Sequence, residues 1–281
     1  MVLNLDPNFA PFPEKTAISF ESFVFSGGEP HIKIHSNLAQ VPHVTVTHRI
    51  RSFTDMGLLL LAGDALKRMQ VREVSAFLPY FPAARQDRVM VSGEPLSAKV
   101  YADLANQMGL SEIQVFDPHS EVTPALLNNC RVYSNHRFVQ KICAQLPPNL
   151  LLVSPDGGAL KKVYKLAASL QQYKVVECSK LREVRTGKLS GFQVYSENLE
   201  GSPCLIVDDI CDGGGTFLGL GEELKRKGAG NLYLAVSHGI FSKGLEELQK
   251  IFTKIFTTDA FSTISNSPQF QQIPLSELLG E

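Results

Sequence analysis

Cys204-Leu-Ile-Val-Asp-Asp-Ile-Cys-Asp-Gly-Gly-Gly-Thr216 reads as a short apolar strand that runs into three carboxylates, Asp208, Asp209 and Asp212, then three glycines and a hydroxyl residue at the mouth of a helix. Gly213, Gly214 and Gly215 let backbone N–H groups wrap a phosphate, and a helix starting near Thr216 adds partial positive charge. Carboxylates repel phosphate but suit sugar hydroxyls and a hard cation such as Mg²⁺. The stretch therefore predicts a strand–turn–helix unit built for a phosphorylated ribose with a metal nearby. Two familiar nucleotide loops do not fit. G-x-x-x-x-G-K-[ST] is absent from the chain, and G-x-G-x-x-G fails because Leu218 stands at its last position. An ordinary glycine-rich turn with solvated acids would leave the same letters, so the rest of the chain must discriminate.

The 281 residues suit two ordinary domains, and a chain of this size needs no disulfide staples to hold a core. Twenty-seven Lys and Arg balance 28 Asp and Glu, a formal net charge of −1. That leaves no basic footprint for nucleic acid and no polybasic patch for a membrane surface. The five cysteines are scattered and lack C-x-x-C spacing, as free thiols in a reducing compartment do. The first residues carry no basic n-region, and the longest apolar run, residues 57–63, is too short to span a bilayer. These features lead us to expect a soluble, cytoplasmic protein.

Short apolar strands alternate with helical periodicity along the chain. A hairpin is expected from 16–25 and 31–35 about Ser26-Gly-Gly-Glu29, then a strand at 44–47 and a helix at 55–69. Strand 73–78, helix 96–108 and strand 113–116 follow. The second half repeats the theme with strand 150–153, a helix from about 159, strands 174–177 and 192–195 around a charged loop, strand 204–207, helix 217–227 closed by Gly228, and strands 232–236 and 254–257. Such alternation predicts an α/β protein of two similar domains, with central, mostly parallel sheets flanked by helices. The seam is expected near 133–137. It separates a first domain, 1–134, joined by a tail at 265–281, from a second at 135–264. In such sheets ligands bind beyond the carboxyl ends of the strands.

Four further polar clusters occupy those ends. Pro79-Tyr-Phe-Pro-Ala-Ala-Arg85-Gln86-Asp87-Arg88 offers guanidinium forks for polyphosphate and aromatic faces for a base, although a solvated arginine loop would look alike. Asp117-Pro-His119-Ser120 places a carboxylate where it could fix the tautomer of a histidine, itself able to touch phosphate, move a proton or hold a metal. Ser154-Pro-Asp156-Gly157-Gly158 allows close backbone approach beside a carboxylate, or a simple helix cap. Ser179-Lys180-Leu-Arg182-Glu-Val-Arg185-Thr-Gly-Lys188 concentrates four cations, either as a solvated hairpin tip or as a lid that closes on a phosphoryl group.

In order and spacing, these clusters resemble the ribose-phosphate diphosphokinases, the phosphoribosyl pyrophosphate synthetases, from about Phe25 to the C-terminus. The resemblance implies type I phosphoribosyltransferase-like domains and Mg²⁺-dependent transfer of the β,γ-diphosphoryl group of ATP to the anomeric hydroxyl of ribose 5-phosphate. It implies ATP binding by Phe25, Glu29, Arg85, Gln86, Asp87, Arg88 and His119. Ribose phosphate would be held by Asp156, Gly157, Gly158, Asp208, Asp209, Asp212, Gly213, Gly214, Gly215 and Thr216. Lys180, Arg182 and His119 would be catalytic, and His119 and Asp156 would serve the metal. It also implies a homo-oligomer, dimer or hexamer, because the hairpin of Phe25 and Glu29 resembles a flag that in relatives reaches a neighbouring subunit's adenine site.

Three departures stand out. The strand–helix unit before the flag is abbreviated, Val89-Met90 replaces a basic residue after Arg88, and Gly213 stands where the family usually has Thr. The last removes a hydroxyl and is expected to open space beside the 5-phosphate. It motivates a rival acceptor whose 5-phosphate carries a further group, such as ADP-ribose, with a place in NAD metabolism. A non-catalytic relative and a phosphoribosyltransferase are the other readings. The retained Lys180, Arg182, His119 and aspartates oppose the first, and Arg85 to Arg88 and the Lys180 segment have no purpose in the second.

Overall fold

In the computed structural model, residues 1–38, 40–170, 173–182 and 189–279 are described. The chain divides into two compact units. One comprises 1–134 with 260–263 and 274–281, and the other 135–259 with 264–273.

The N-terminal unit is built on five parallel strands, β1 (Val2–Asn4), β4 (His43–Thr47), β5 (Glu73–Phe77), β6 (Glu112–Phe116) and β7 (Cys130–Tyr133), adjacent in that order. An antiparallel hairpin, β2 (Phe20–Val24) with β3 (Pro30–Ile34), is separate from that sheet. Between the strands run α1 (Phe53–Arg68), α2 (Ser97–Gln107) and the short α3 (Val122–Leu126). The expected helix 55–69 begins two residues earlier because Ser52 caps it, accepting the Asp55 N–H, and Lys67 and Arg68 suit its carbonyl end. Its buried residues, Met56, Leu59, Ala62 and Leu66, form one stripe at helical spacing that packs into the core with Leu3, Val46 and Ala76.

The C-terminal unit contains α4 (His136–Cys143), β8 (Leu151–Ser154), α5 (Gly157–Leu170), β9 (Lys174–Arg182), β10 (Leu189–Val194), β11 (Cys204–Cys211), α6 (Gly215–Arg226), β12 (Leu232–Gly239), α7 (Glu246–Ile251), β13 (Lys254–Thr258) and β14 (Phe270–Ile273). The sheet order is β10-β9-β8-β11-β12-β13-β14, parallel except for the β9–β10 pair. From β8 the chain winds toward one edge, and from β11 toward the other. The boundary between these two strands is the topological switch point, where α/β sheets open a crevice at their carboxyl ends. All eight residues of β12 are buried, as expected of a strand covered on both faces. Helix α6 closes as anticipated, with Gly228 at φ +80° and its neighbours' N–H groups returning to the last turn.

Four expectations change. The strand foreseen at 204–207 continues to Cys211, because β12 pairs with it through Cys211↔Gly239, so Asp208 and Asp209 are strand residues. Part of the stretch foreseen as a charged loop is strand. Ser179 to Arg182 extend β9 against β10, with Phe192 opposite Lys180. Arg185 and Lys188 lie outside the described residues. The tail does not go whole to the first unit, since Phe270–Ile273 pairs with β13 in the second sheet and only 260–263 and 274–281 join the first. Finally, β1 and β7 add edge strands that the sequence reading lacked.

Candidate active site

In the N-terminal unit, two chain segments converge after β5 and β6. The 79–88 segment turns at Ala83, which takes φ +56° and accepts the Gln86 N–H at 2.8 Å. The turn leaves Arg85, Gln86 and Arg88 exposed but buries Asp87. At the end of β6, Asp117 is buried with φ +38° and donates its N–H to the Tyr133 carbonyl at 2.8 Å. Left-handed backbone at a non-glycine residue costs on the order of 1 kcal/mol or more and persists where surrounding contacts over-determine it. Beyond it come His119 and Ser120, which reach Asp87. Burial alone would raise the Asp87 pKa. Hydrogen bonds from Arg88 and Ser120, with the charges of Arg88 and His119, outweigh it and hold the carboxyl below its ordinary range. Arg88 Nε donates to Asp87 Oδ1 at 3.0 Å. The two clusters thus meet at one anionic carboxylate, with arginine forks facing solvent.

The hairpin tip packs on itself. Phe25 N–H donates to Glu29 at 2.8 Å, Gly28 takes φ +96°, and the Phe25 ring meets Phe23 edge-on at 4.8 Å and His31 at 5.7 Å. Phe23, Val24 and Phe25 are nevertheless each about half exposed, at 47, 55 and 52%. Three consecutive apolar residues in that state form a surface suited to a partner.

In the C-terminal unit, the switch point gathers the carboxylates. β8 parts from β11 after Val153↔Ile206, while β11 continues with β12. Asp208 and Asp209 therefore stand beside the start of α5, which Asp156 caps through Gly158 N–H (2.9 Å) and Ala159 N–H (3.1 Å). The other oxygen of Asp156 pairs with Lys180 Nζ at 2.6 Å. Burial works against the Asp156 anion, but Lys180 and the two helix amides prevail and lower its pKa. Asp208 behaves oppositely. Burial first, then the adjacent Asp209 charge and hydrogen bond and the more distant Asp156, push its pKa well above the carboxylate range. Two close carboxyls retain a proton because both cannot ionise at once without a cation.

This crowding of carboxyls is what bears on Mg²⁺. No cluster of three or more His, Cys, Asp or Glu poised around a metal occurs among the described residues. Asp208 and Asp209 nevertheless set two carboxyls side by side, one of them pushed toward its neutral form. Such a set fits a hard cation that arrives with substrate phosphates and takes only one or two protein ligands.

The glycine loop follows directly. Gly214 takes φ +76°, and a Cβ there would stand 3.2 Å from Leu248, so only glycine fits. It is the N-cap of α6 and offers no side chain to the first amides of the helix, leaving them for an anion. Gly157, Gly158, Gly215 and Thr216 lie at the starts of α5 and α6, as expected. Gly213 differs from expectation. The space beside it holds Lys243, whose Cδ and Cε would lie 3.5 Å from a Cβ at that position. Asp212 is tied to the same neighbouring loop, accepting from the Ser242 N–H (3.2 Å) at its carbonyl and from Ser242 Oγ (2.7 Å) at its carboxylate.

The sequence reading missed this 240–244 loop, although Gly239-Ile-Phe-Ser-Lys-Gly244 follows an apolar strand just as the other clusters do. Lys180 is placed on a strand, in contact with Asp156. Arg182 ends β9, and its side chain lies outside the described part of the structure.

Comparison with known proteins agrees with this arrangement. The N-terminal domain of ribose phosphate pyrophosphokinase matches residues 15–109, and the phosphoribosyl transferase domain matches residues 136–270. Similar proteins named ribose-phosphate pyrophosphokinase occur in Mycoplasma pneumoniae, 34% identical over 79% of this chain and 70% of that protein, and in Bradyrhizobium diazoefficiens, 32% identical over 79% and 72%. One from Maricaulis maris is 29% identical over 92% of this chain and 85% of its own. The fold matches the crystal structure of phosphoribosylpyrophosphate synthetase from Mycobacterium smegmatis with a TM-score of 0.85, covering 99% of this chain and 95% of that one at 22% identity. No helix among the described residues is long and apolar enough to cross a membrane. With strand order, polar clusters and sequence similarity all in agreement, the chain is an enzyme that belongs to the ribose-phosphate pyrophosphokinase family.

Proposed function

We propose that the protein transfers the β,γ-diphosphoryl group of ATP to the anomeric hydroxyl of ribose 5-phosphate, with Mg²⁺, giving phosphoribosyl pyrophosphate and AMP. The observation that carries this reading is the 2.6 Å pair between Lys180 and Asp156 beside Asp208, which sets a cation suited to phosphoryl charge against carboxylates suited to ribose hydroxyls. The anomeric oxygen bonds to the β-phosphorus, and the bridge to the α-phosphate breaks. AMP leaves with the electron pair, and the hydroxyl proton passes to solvent.

Such chemistry depends on alignment and charge neutralisation. Arg85, Gln86, Arg88 and His119 bind the ATP phosphates around Asp87, and the hairpin of Phe25 and Glu29 supplies an adenine contact, most naturally to a second copy of the chain. Asp208 and Asp209 orient the ribose hydroxyls, while Gly213 to Thr216 cradle the 5-phosphate. Lys180 leaves Asp156 to meet the transferring group, and Arg182 is assigned the same catalytic role. Mg²⁺ arriving with ATP would supply charge neutralisation on the phosphates, with His119 the residue that would serve it in the N-terminal unit and Asp156 the one in the C-terminal unit.

The test is AMP release from ATP and Mg²⁺ with ribose 5-phosphate as acceptor. AMP appearing only with ADP-ribose would move the reading to the substituted acceptor. No AMP with either would reject diphosphoryl transfer.

A further inference from the structure

Lys243 has no role in the site as assigned so far, yet its side chain lies beside Gly213 in the glycine loop. It is exposed, and its ammonium has neither an ion pair nor a hydrogen bond among the described residues. Its stem runs along Gly213, with Cδ and Cε 3.5 Å and Cγ 3.8 Å from where a Cβ on that glycine would stand. Extended lysine stems lose rotamer freedom when ordered, so this placement depends on the loop that carries it.

That loop is held on both sides. Phe241 is buried, sits at φ +48° and packs edge-on against Phe270 at 5.9 Å. Its N–H and that of Ile240 both donate to the Cys211 carbonyl, at 3.2 and 2.9 Å. Gly244 closes the turn onto Phe241 at 2.8 Å with φ +75°. Ser242 completes the attachment through its two hydrogen bonds to Asp212. The backbone bearing Lys243 is therefore fixed to the loop that opens α6, while the end of the side chain remains free.

We infer that Lys243 is a binding and specificity-determining residue for the phosphate esterified to the ribose 5-oxygen. The inference rests on the proposed function and deepens it. The cradle from Gly213 to Thr216 offers amides and a helix terminus, but the residue before it is a carboxylate. A phosphate dianion entering there meets Asp212, and the ammonium of Lys243 offsets that repulsion. A compact charge on a four-carbon stem adapts to the exact position of the oxygens it meets. It can therefore serve a phosphomonoester or a phosphate esterified a second time. The side-chain-free edge at Gly213 is thus a place filled by a cation rather than empty room.

The test compares the wild type with Lys243→Met, which keeps the stem, and Lys243→Arg, which keeps the charge. Calorimetric binding of ribose 5-phosphate and of ADP-ribose is measured alongside AMP release from ATP and Mg²⁺. Loss of a charged hydrogen bond should weaken acceptor binding and raise its KM about 10- to 100-fold, with kcat changed less than about threefold and partial recovery in the arginine variant. An effect on ribose 5-phosphate alone assigns Lys243 to the monoester, and an effect on ADP-ribose alone to the diester. Unchanged binding of both acceptors in Lys243→Met would overturn the inference and leave the proposed function intact. A wild type that binds these acceptors but releases no AMP would overturn the proposed function and leave the inference standing on the binding data. Failure of the wild type to bind either acceptor would overturn both.

Discussion

In the N-terminal unit, β4, β5, β6 and β7 are laid down in one direction across the sheet, whereas in the C-terminal unit the chain winds outward from β8 and β11 toward both edges. The first arrangement has no crevice between those strands, and its polar groups are brought together by bent backbone, at Ala83 and Asp117. The second creates a crevice by topology, and Asp156, Asp208 and the glycine loop occupy it without needing non-glycine strain at the carboxylates. The electrostatic consequence also differs. The arginine, serine and histidine around Asp87 draw its pKa below the ordinary range, while burial first and then the neighbouring carboxylates push that of Asp208 above it. One unit carries an anionic carboxylate ringed by cationic side chains, and the other a carboxylate cluster short of cations.

The largest expected effect comes from Lys180, the cation that the C-terminal cluster does have. Lys180→Ala should lower kcat by about 10²- to 10³-fold, the usual cost of removing one transition-state donor, with little change in thermal midpoint. Steady-state AMP release and a melting curve check both parts. Near-normal turnover would remove Lys180 from the mechanism and reduce its contact with Asp156 to a structural ion pair.

Asp208→Asn tests the cluster from the other side. It removes a carboxyl that the fold itself pushes toward the neutral form, so the variant should melt above the wild type at neutral pH while losing about 10- to 100-fold in kcat/KM for the acceptor. Its pH dependence follows from the direction of the shift. A carboxyl with a raised folded pKa binds its proton more tightly folded than unfolded, so the stability it lends is full at low pH and is lost as pH rises through the folded pKa. Melting scans of the variant should lack that falling component. If they retain it, Asp208 is not the group that holds the proton.

The N-terminal unit has a titration of opposite sign. Burial pushes His48 down to about 4, although Asp55 and Asp6 act to raise it, and both its ring nitrogens are buried without a hydrogen bond among the described residues. The unfolded chain protonates this histidine near its ordinary value and the folded chain only near pH 4, so stability falls as pH drops through that window, by roughly 3 kcal/mol. Chemical denaturation from pH 7 to pH 4 should show a slope that His48→Phe flattens.

Arg88→Ala examines the ATP side directly. Arg88 is exposed and bonded to Asp87, so its loss should raise KM for ATP about tenfold with kcat nearly unchanged, and should let the Asp87 pKa climb. A loss confined to kcat would place Arg88 with the transferring group instead.

The features read correctly in advance share a physical cause. Apolar strands that end in proline or glycine and then charge, such as 73–88 and 204–216, advertise both the strand and the polar turn that follows it in consecutive residues. Strand β14, Phe270-Gln-Gln-Ile273, has no such signal, because an edge strand with two polar residues is defined only by its pairing with β13. The same holds for β7, where Arg131 and Val132 are both exposed. Lys180 looked like a loop residue because its segment is dense in charge. Its place on β9 depends on the partner strand β10, which propensity along one segment does not report. Lys243 escaped because a glycine reads as open space until the side chain beside it is known.

The smallest expected effect separates two ways of holding a loop. Ser242 is exposed and joins the loop after β12 to Asp212 through its hydroxyl, a bond of 2.7 Å. Ser242→Ala removes about 1 kcal/mol and should raise KM for the acceptor roughly fivefold, with Ser242→Thr restoring it. The route of the effect can be resolved. If Ser242 works by placing Lys243, then Ser242→Ala combined with Lys243→Met should be no worse than Lys243→Met alone, since contacting residues on one path do not add. Additive losses would mean that Ser242 acts on Asp212 itself. The C-terminal site would then resemble the N-terminal one more closely, with a carboxylate tuned by its own hydrogen-bond donor rather than a loop fixed to present a cation.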